Sequence, residues 1–306
     1  MALKDTITLG MSLPHRSPDG IEAAVVRQVA RRAETLGFHD LWVTNNTLDH
    51  AGCLDSLTLL SYAAALTSTI RLGVSVLVLP VYNPIHVAHQ VATLDHLSDG
   101  RAILGLGLGR EHHYPPFQIP RERRVRRFRE AVEVMKALWT QEQTTYQGEI
   151  FQLHDAMMGP KPVQKPHPPV WLGGGHPDAL QRAATLADGW MGAGGSSNAA
   201  FASSVPVIRE ALERAGRDPS TFPLSKRVFM SVHERPEMAR DEVHRWFSEV
   251  YHNPAQTTAG GVYGTPEQVR QQLEALADMG ATHLLLNPVS RYAEQVEAVA
   301  EVVGLS

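Results

Sequence analysis

The segment between Arg71 and Gly109 constrains the fold of this chain more than any other part of the sequence. An apolar, β-branched run from Leu72 to Leu79 is followed by a helical pattern from Asn83 to Ser98, and a second apolar run extends from Ala102 to Leu108. Strand, helix, short turn and strand in this order predict two parallel strands joined by a right-handed crossover. Neither run alternates with polar residues, so we expect both faces of the sheet to be covered.

The same alternation of short apolar runs and amphipathic segments continues along the chain. Strands are predicted at residues 6–11, 39–44, 72–79, 102–108, 170–172, 189–193, 227–232 and 282–287, and helices at 20–36, 55–67, 83–98, 121–140, 177–186, 198–215, 236–250, 265–279 and 292–303. Eight strands in 306 residues predict an α/β fold, a (β/α)8 TIM barrel that forms one domain over residues 1–306. A doubly wound sheet is the competing fold, but it usually needs fewer strands and does not explain why glycines follow so many of them.

Insertions interrupt this alternation after the fourth strand, after the fourth helix and before the last βα units. Residues 110–120 form a break with three prolines, and a hairpin around Gln147-Gly148 is predicted within residues 144–153. The proline-rich residues 154–169 are predicted to cover one end of the fold. Residues 251–264 are predicted to form a second irregular insertion.

The composition excludes several classes of partner. Lys and Arg number 28 and Asp and Glu number 32, so the net charge of −4 gives no electrostatic reason to expect nucleic acid or a membrane surface. Cys53 is the single cysteine, so a disulfide within the chain is impossible. The first residues lack the apolar core of a signal peptide, and no apolar run approaches the roughly 20 residues that a membrane span needs. We therefore expect a cytoplasmic protein.

Several stretches resemble the bacterial luciferase-like family of flavin- and deazaflavin-dependent oxidoreductases, and they occur in the family's order. They are LGFHDLWV (36–43), TIRLGVSVLVLPVYNPIHVAHQVATLDHLSDGRAILGLGLG (69–109), RRFREAVEVMKALW (126–139), YQGEIFQL (146–153), PPVWLGGG (168–175), LADGW (186–190) and YGTPEQVRQQLEALADMGATHLLL (263–286). The chain resembles most the branch that uses coenzyme F-420, a 5-deazaflavin hydride carrier. The resemblance implies a (β/α)8 barrel, a cofactor at the carboxyl ends of the strands and often a homodimer.

Three functions remain open on this resemblance. The first is hydride transfer between F-420 and a small organic substrate, with the protein supplying orientation and a dry pocket. The second is a monooxygenase that takes reduced FMN from a separate flavin reductase. The third is a barrel that binds a flavin-like ligand without turnover, as a carrier or sensor.

The glycines of the segment GLGLG (105–109) do not form a dinucleotide fingerprint, because no helix follows them. One interpretation is a strand tip at Gly107 and Gly109 that is free of side chains, so that a planar ring can approach. The other is that glycines simply fit a tight barrel interior. Without the family resemblance, Ser75-Val76 in the preceding strand would be interpreted as an ordinary part of the core. The resemblance implies a cis, non-proline bond there that forms a bulge behind the cofactor ring.

Two glycine-rich turns are candidates for binding the cofactor phosphate. Gly173-Gly174-Gly175-His176 and Gly194-Gly195-Ser196-Ser197 each follow a strand and precede a helix. Backbone N–H groups at helix starts bind phosphate well, and Arg182 could add positive charge. The alternative is two ordinary strand-to-helix turns.

The proton donor is the least certain part of the site. In the F-420 branch, the position of Asn45-Asn46 commonly carries an acidic residue and a histidine that serves in proton transfer. Amides cannot act as general acids or bases near neutral pH. Asn46 could still hydrogen-bond the ring or substrate, with Asn45 beside the cofactor. Candidates for a replacement proton donor lie in the loops after strands two and four: Asp49, His50, His112, His113 and Tyr114, of which His50 and His113 are preferred. The alternative for each of them is an ordinary solvated loop residue.

The arginine-rich start of the fourth predicted helix has two interpretations. Six arginines between residues 121 and 129 would by default form a solvated helix face. F-420 carries a phosphate and an acidic oligoglutamate tail, so Arg121 or Arg124 could contact one of these. No metal site is expected, since His86 and His89 lack carboxylate or cysteine residues to complete a ligand set. Cys53 has no identified base partner, which leaves nucleophilic catalysis a minor option.

Overall fold

The structure of the chain, a computed structural model, describes residues 3–305. Parallel strands close into a barrel in the order β1-β2-β3-β4-β7-β8-β9-β11, and β11 pairs with β1 to complete the ring. These strands are β1 (Thr8–Ser12), β2 (Asp40–Val43), β3 (Arg71–Val78), β4 (Ala102–Gly107), β7 (Val170–Gly173), β8 (Gly189–Gly192), β9 (Leu224–Val232) and β11 (His283–Pro288). The predicted (β/α)8 TIM barrel is therefore confirmed.

Helices cover the outside of the barrel and follow its strands. Their bounds are α1 (Ala23–Leu36), α2 (Ser56–Leu66), α3 (Pro84–Leu97), α4 (Arg124–Thr140), α5 (Pro177–Leu186), α6 (Asn198–Arg214), α7 (Pro236–Glu249), α8 (Gln256–Gly260), α9 (Pro266–Asp278) and α10 (Tyr292–Val303). Their apolar faces pack on the strands in one large core. None of the helices in the described residues is long and apolar enough to cross a membrane.

Hydrogen-bonded polar side chains are buried in the barrel interior near the amino ends of the strands. His283 on β11 lies 3.0 Å from the Asp40 carboxylate through Nε2 and 2.7 Å from the Ser225 hydroxyl through Nδ1. Burial alone would raise the pKa of Asp40, but the charge and hydrogen bonds of His283 and His39 outweigh burial and lower it. Above these side chains, the indoles of Trp42 and Trp171 pack against each other and fill the barrel.

The predicted hairpin is confirmed, with a wider loop than expected. Its antiparallel strands are β5 (Thr144–Gln147) and β6 (Gln152–Ala156), so residues 148–151 form the loop. The Glu130 carboxylate on α4 accepts hydrogen bonds from the N–H groups of Glu149, Ile150 and Phe151 at 2.9–3.1 Å. These contacts satisfy backbone donors that a two-residue turn would have paired across the strands.

The prediction that residues 251–264 are irregular is wrong in part. This segment contains α8 and the short strand β10 (Val262–Gly264), which pairs in parallel with Met230–Val232 at the end of β9. Elements of five and three residues are too short to show a hydrophobic period. Similarly, α4 begins at Arg124 rather than Arg121, because Arg123 adopts a left-handed conformation with φ of 56°.

Candidate active site

A cavity of about 820 Å³ opens at the carboxyl ends of the barrel strands. It is lined by residues from the loops after β1, β2, β4, β7, β8 and β9, together with the end of β3. The structure brings most of the predicted site residues together there: Asn45, Asn46, Asp49, His50, Ser75, Val76, Gly107, Gly109, His112, His113, Arg124, Gly173, Gly174, Gly175, His176, Arg182, Gly194 and Gly195. Ser196, Tyr114 and Arg121 do not line it.

One wall of the cavity is the bulge in β3. The Ser75-Val76 peptide bond is cis, as the family resemblance implied, and the register with β4 shifts between Val74 and Leu77. A Cβ added at Gly107 would lie 2.5 Å from Cγ2 of Val76, and one at Gly173 would lie 3.1 Å from its Cγ1. The glycines therefore give Val76 room to reach the cavity, as the interpretation of a tight barrel interior requires, and the approach of a planar ring stays a prediction.

The two asparagines after β2 have different surroundings. The Asn45 amide donates to the Tyr82 hydroxyl at 2.7 Å and accepts from the Val78 N–H at 3.2 Å. It therefore ties the end of β2 to the end of β3. The Asn46 side chain lines the cavity and makes no hydrogen bond to any other residue between 3 and 305. Asn46 thus keeps its full donor and acceptor capacity for a ligand.

The two glycine-rich loops present free backbone N–H groups. Within the described part of the chain, no acceptor receives the N–H of Gly175 or His176 in the first loop, or of Gly194, Gly195 or Ser197 in the second. Each loop leads directly into a helix, α5 or α6. Such orphan donors at two adjacent helix N-termini form a site that suits a phosphate group.

Lys226 holds the second loop from behind. Its Nζ donates to the carbonyl oxygens of Ser196 at 2.9 Å and Ala193 at 3.4 Å. Since the C=O and N–H of a trans peptide point in opposite directions, this turns the N–H groups of Gly194 and Ser197 away from Lys226. Burial lowers the pKa of Lys226 to about 8, and none of the described carboxylates pairs with it.

This arrangement also explains why Ser196 lies outside the cavity. Its hydroxyl donates to the Ala193 carbonyl at 2.5 Å and lies 3.4 Å from the Lys226 ammonium. The side chain therefore packs behind the loop. The Ser196 N–H also donates to the Ala193 carbonyl, at 3.0 Å, so this residue adds no free donor to the predicted phosphate loop.

Arginines surround the mouth near these loops. Arg182 on α5 lines the cavity without an ion pair among residues 3–305, and burial lowers its pKa. Arg110, which the sequence did not single out, extends toward Gly195 from the loop after β4. Both predicted arginines pair with Glu111, Arg121 at 2.9 Å and Arg124 at 3.6 Å, and only Arg124 also lines the cavity. Of the two predicted arginines, only Arg124 is in place to meet a ligand.

The hydrogen bonds of His113 define its role. Its Nδ1 accepts from the Arg110 backbone N–H at 3.0 Å, so the neutral ring carries its proton on Nε2. Burial, and then the charges of His112 and Arg110, lower the pKa of His113 and keep it neutral. His113 is thus a hydrogen-bond donor toward the cavity through Nε2. Tyr114, in contrast, is buried and donates its hydroxyl to the Leu108 carbonyl, which removes it as a proton donor.

His50 offers the complementary group. Its Nε2 lies 2.8 Å from the Glu249 carbonyl and must donate to it, so the neutral ring leaves Nδ1 unprotonated. Nδ1 lies 3.7 Å from the Asp49 carboxylate. His252 stacks on His50 with the ring centroids 4.8 Å apart. His50 is therefore able to accept a proton at the cavity edge.

Six residues that line the cavity or lie beneath its lining were not predicted from the sequence. They are Arg16, Arg110, Lys226, Arg227, Tyr251 and His252. One signal was present: Lys226 and Arg227 stand together in a strand whose nine residues are all buried. Two consecutive cations in such a strand are unusual, because buried charges need partners or a function.

The chain is similar to one known protein family and to characterised members of other organisms. The sequence model of a family described as luciferase-like monooxygenase matches residues 7–283. An F-420-dependent glucose-6-phosphate dehydrogenase of Kineococcus radiotolerans is 29% identical over 290 residues, which cover 84% of this chain and 85% of that protein.

Two solved structures have similar folds. An F-420-dependent secondary alcohol dehydrogenase in complex with an F-420–acetone adduct has a TM-score of 0.84 at 22% identity, covering 98% of this chain and 99% of its own. A monooxygenase from Streptomyces bottropensis has a TM-score of 0.84 at 23% identity, covering 96% and 98%. At these identities, the structural likeness establishes the barrel fold and no more.

Proposed function

This chain belongs to the luciferase-like monooxygenase family, and we propose that it is an oxidoreductase that transfers a hydride between coenzyme F-420 and a small organic substrate. The observation that carries the proposal is the pairing of the Val76 wall with two loops of free N–H groups at one cavity. A planar ring and a phosphate are the groups that such surfaces bind. The similarity to F-420-dependent enzymes supports the deazaflavin as the ring.

The residues present fit F-420 at three points. Val76, with Gly107 and Gly173 beside it, gives the ring a smooth apolar face. The loops at residues 173–176 and 194–197 offer donors to the phosphate. Arg124 offers positive charge at the mouth to the acidic oligoglutamate tail.

When bound, F-420 supplies the hydride chemistry, and the side chains of this protein handle the substrate oxygen and its proton. In this proposal the Nε2–H of His113 donates a hydrogen bond to the oxygen of the substrate. The free Nδ1 of His50 holds the proton that an alcohol loses or a carbonyl gains, and Asp49 stabilises the protonated ring. Asn46 orients the substrate or the ring through its unpaired amide.

A monooxygenase that uses reduced FMN is the second candidate, since the same loops would bind the phosphate of FMN and a monooxygenase shares the fold. That function would require a separate flavin reductase. The homodimer implied by the resemblance stays a prediction under either function.

Anaerobic titration of the purified protein with F-420, reduced F-420, FMN and reduced FMN tests the proposal. We expect F-420 to bind at least about tenfold more tightly than FMN, a difference of about 1.4 kcal/mol. Preference for reduced FMN would replace the proposal with the monooxygenase. Binding of F-420 without turnover of any alcohol or carbonyl compound offered would favour a carrier or sensor.

Variants connect the result to the site. Arg182→Met is expected to weaken F-420 binding about tenfold, as removal of one charge-assisted phosphate contact would. Arg214→Met, at an exposed arginine on the adjacent helix α6, is the matched control and should leave binding unchanged. Equal affinities for both variants would contradict the placement of the phosphate.

A further inference from the structure

Two arginines lie across the barrel from the Val76 wall. In the ring of eight strands, β9 stands opposite β3, with three strands between them in either direction, and β1 stands opposite β7. Arg227 is on β9, and Arg16 follows β1. A ring that rests one face on Val76 therefore turns its other face, where the substrate must be, toward this arginine pair.

Arg227 is buried without a carboxylate. Its side chain is 94% inaccessible to solvent, since the residue is 6% exposed. Nε donates to the Asn287 amide oxygen at 3.0 Å and Nη2 donates to the same oxygen, while the guanidinium lies 4.6 Å from the centroid of Phe229. Within residues 3–305, Nη1 has no acceptor and no acidic group forms an ion pair with Arg227. The aliphatic part of the side chain lies directly beneath Gly194 of the cavity lining.

Arg16 is only partly neutralised. It lines the cavity, forms an ion pair with Asp49, and lies 5.4 Å from the centroid of the Tyr251 ring. Its Nε is buried and has no hydrogen-bond partner in the described part of the chain. Burial, and to a lesser extent the charge of Arg16, lower the pKa of Arg227.

The remaining ionisable groups around the pair do not supply the missing negative charge. Burial lowers the pKa of His15 to about 3, so that ring is neutral. Burial raises the pKa of the Cys53 thiol, which is also neutral. His50 and Tyr251, which also line the cavity, carry no carboxylate. Asp49 therefore pairs with Arg16, and none of the described carboxylates pairs with Arg227.

A buried guanidinium with spare donors and no counterion is costly unless an anion binds there. We propose that the substrate carries an oxyanion group, a carboxylate or a phosphate monoester, that binds at Arg16 in the cavity, with the charge of Arg227 behind the lining adding to the attraction. This inference deepens the proposed function and rests on it for the hydride transfer. The two arginines belong to β9 and to the loop after β1, whereas the loops proposed for the cofactor phosphate follow β7 and β8. The two anion sites adjoin at Gly194, beneath which the Arg227 side chain lies.

Titration calorimetry with three matched compounds tests this inference. Benzoate, phenyl phosphate and neutral benzamide share the phenyl ring and differ in the polar group. With F-420-saturated protein, at least one of the two anions should bind about tenfold or more tightly than benzamide. The preferred anion identifies the substrate as a carboxylate or a phosphate monoester. Equal affinity for all three compounds would overturn the proposal.

Substitution of Asn287 gives the sharpest variant. Asn287→Asp is nearly isosteric and places a carboxylate on Arg227 from within the protein, so the site loses its free charge. The variant keeps the contact with Arg227 and loses the hydrogen bond that the Asn287 amide donates to the Pro288 carbonyl at 2.8 Å. We expect an unchanged or higher melting temperature and at least about tenfold weaker anion binding. Arg227→Met should also weaken anion binding, and Arg240→Met at an exposed position on α7 should not. Anion binding unchanged in Asn287→Asp would refute the site.

The affinity for F-420, measured separately by its fluorescence, distinguishes this inference from the proposed function. If the wild type does not bind F-420, the proposed function is overturned and the anion site is still tested, because the three compounds are also titrated into the protein without cofactor. There, the difference between wild type and Asn287→Asp reports the arginine site. Phenyl phosphate bound at the glycine loops would contribute equally in the two proteins, so its contribution would cancel in this difference.

Discussion

Replacement of Lys226 by methionine should change stability and cofactor binding in opposite directions. Methionine has a similar length and no charge. The pKa of Lys226, about 8, lies about 2.5 pH units below its ordinary value of 10.5 because the ammonium is buried. At roughly 1.36 kcal/mol per unit, the buried charge costs about 3 kcal/mol at neutral pH. The methionine variant does not bear this cost. It loses about 1 kcal/mol of stability for each hydrogen bond that Lys226 donates to the loop carbonyls.

The pH dependence isolates this effect. Between pH 8 and pH 10.5 the unfolded chain binds more protons at this lysine than the folded chain does, so the stability of the wild type rises with pH. The methionine variant lacks that contribution. Its stability relative to the wild type should therefore fall by about 3 kcal/mol from pH 7.5 to pH 10.5, measured by urea denaturation at both values.

Cofactor affinity should move the other way. Without the ammonium, the Ser196 carbonyl loses its hydrogen bond, the Ala193 carbonyl keeps only the hydrogen bonds from Ser196, and the loop loses a positive charge behind the phosphate. We expect F-420 binding to weaken at least about tenfold at pH 7.5, measured by fluorescence titration. Lys161→Met is the control, because Lys161 also donates to two backbone carbonyls but lies outside the cavity lining. A Lys226→Met protein with unchanged F-420 affinity and no altered pH dependence would refute this reasoning.

Three further predictions concern other parts of the molecule. Gly107→Ala should weaken F-420 binding, measured by fluorescence titration, because the added Cβ would lie 2.5 Å from Val76 Cγ2 and displace it into the ring position; unchanged affinity would contradict the wall. His15 is neutral when folded, with a pKa of about 3, so the unfolded chain binds the extra proton below pH 6.5. From pH 7 to pH 5 the wild type should lose about 2 kcal/mol more of its free energy of unfolding than His15→Gln, and parallel denaturation curves for the two proteins would argue against this. Arg124→Ala should reduce the salt dependence of F-420 affinity and Arg121→Ala should not, as titrations at low and high ionic strength will show, because only Arg124 lines the cavity; equal effects would contradict the assignment.

The barrel was predictable because its signals are local. Each strand is a short buried run, and each following helix has its own apolar face, so the order of elements can be found within windows of 10 to 20 residues. The glycine loops were found for the same reason, since a strand, a glycine run and a helix are adjacent in the chain. The short elements α8 and β10 were missed because they are stabilised by contacts with α7 and β9 rather than by a pattern of their own.

The electrostatics of the site could not be predicted in the same way. Lys226 meets Ser196 across 30 residues of sequence, and Arg227 meets Asn287 across 60. Tyr114 looked like an available phenol in a polar loop, yet the fold buries it against the Leu108 carbonyl. Protonation and accessibility depend on such distant neighbours, which no local window contains.

The opposition of β3 and β9 has a consequence for how this protein could be re-engineered. The proposed ring and phosphate contacts come from one continuous central segment, residues 75–197, whereas the arginine site is assembled from the two ends of the chain, at Arg16, Arg227 and Asn287. Substrate choice and the direct cofactor contacts therefore reside on different lengths of the gene, although Lys226, which supports the second glycine loop, lies beside Arg227 on β9. Exchange of the terminal segments between related barrels that both have this lysine should transfer the preference for a substrate while the resident cofactor is retained.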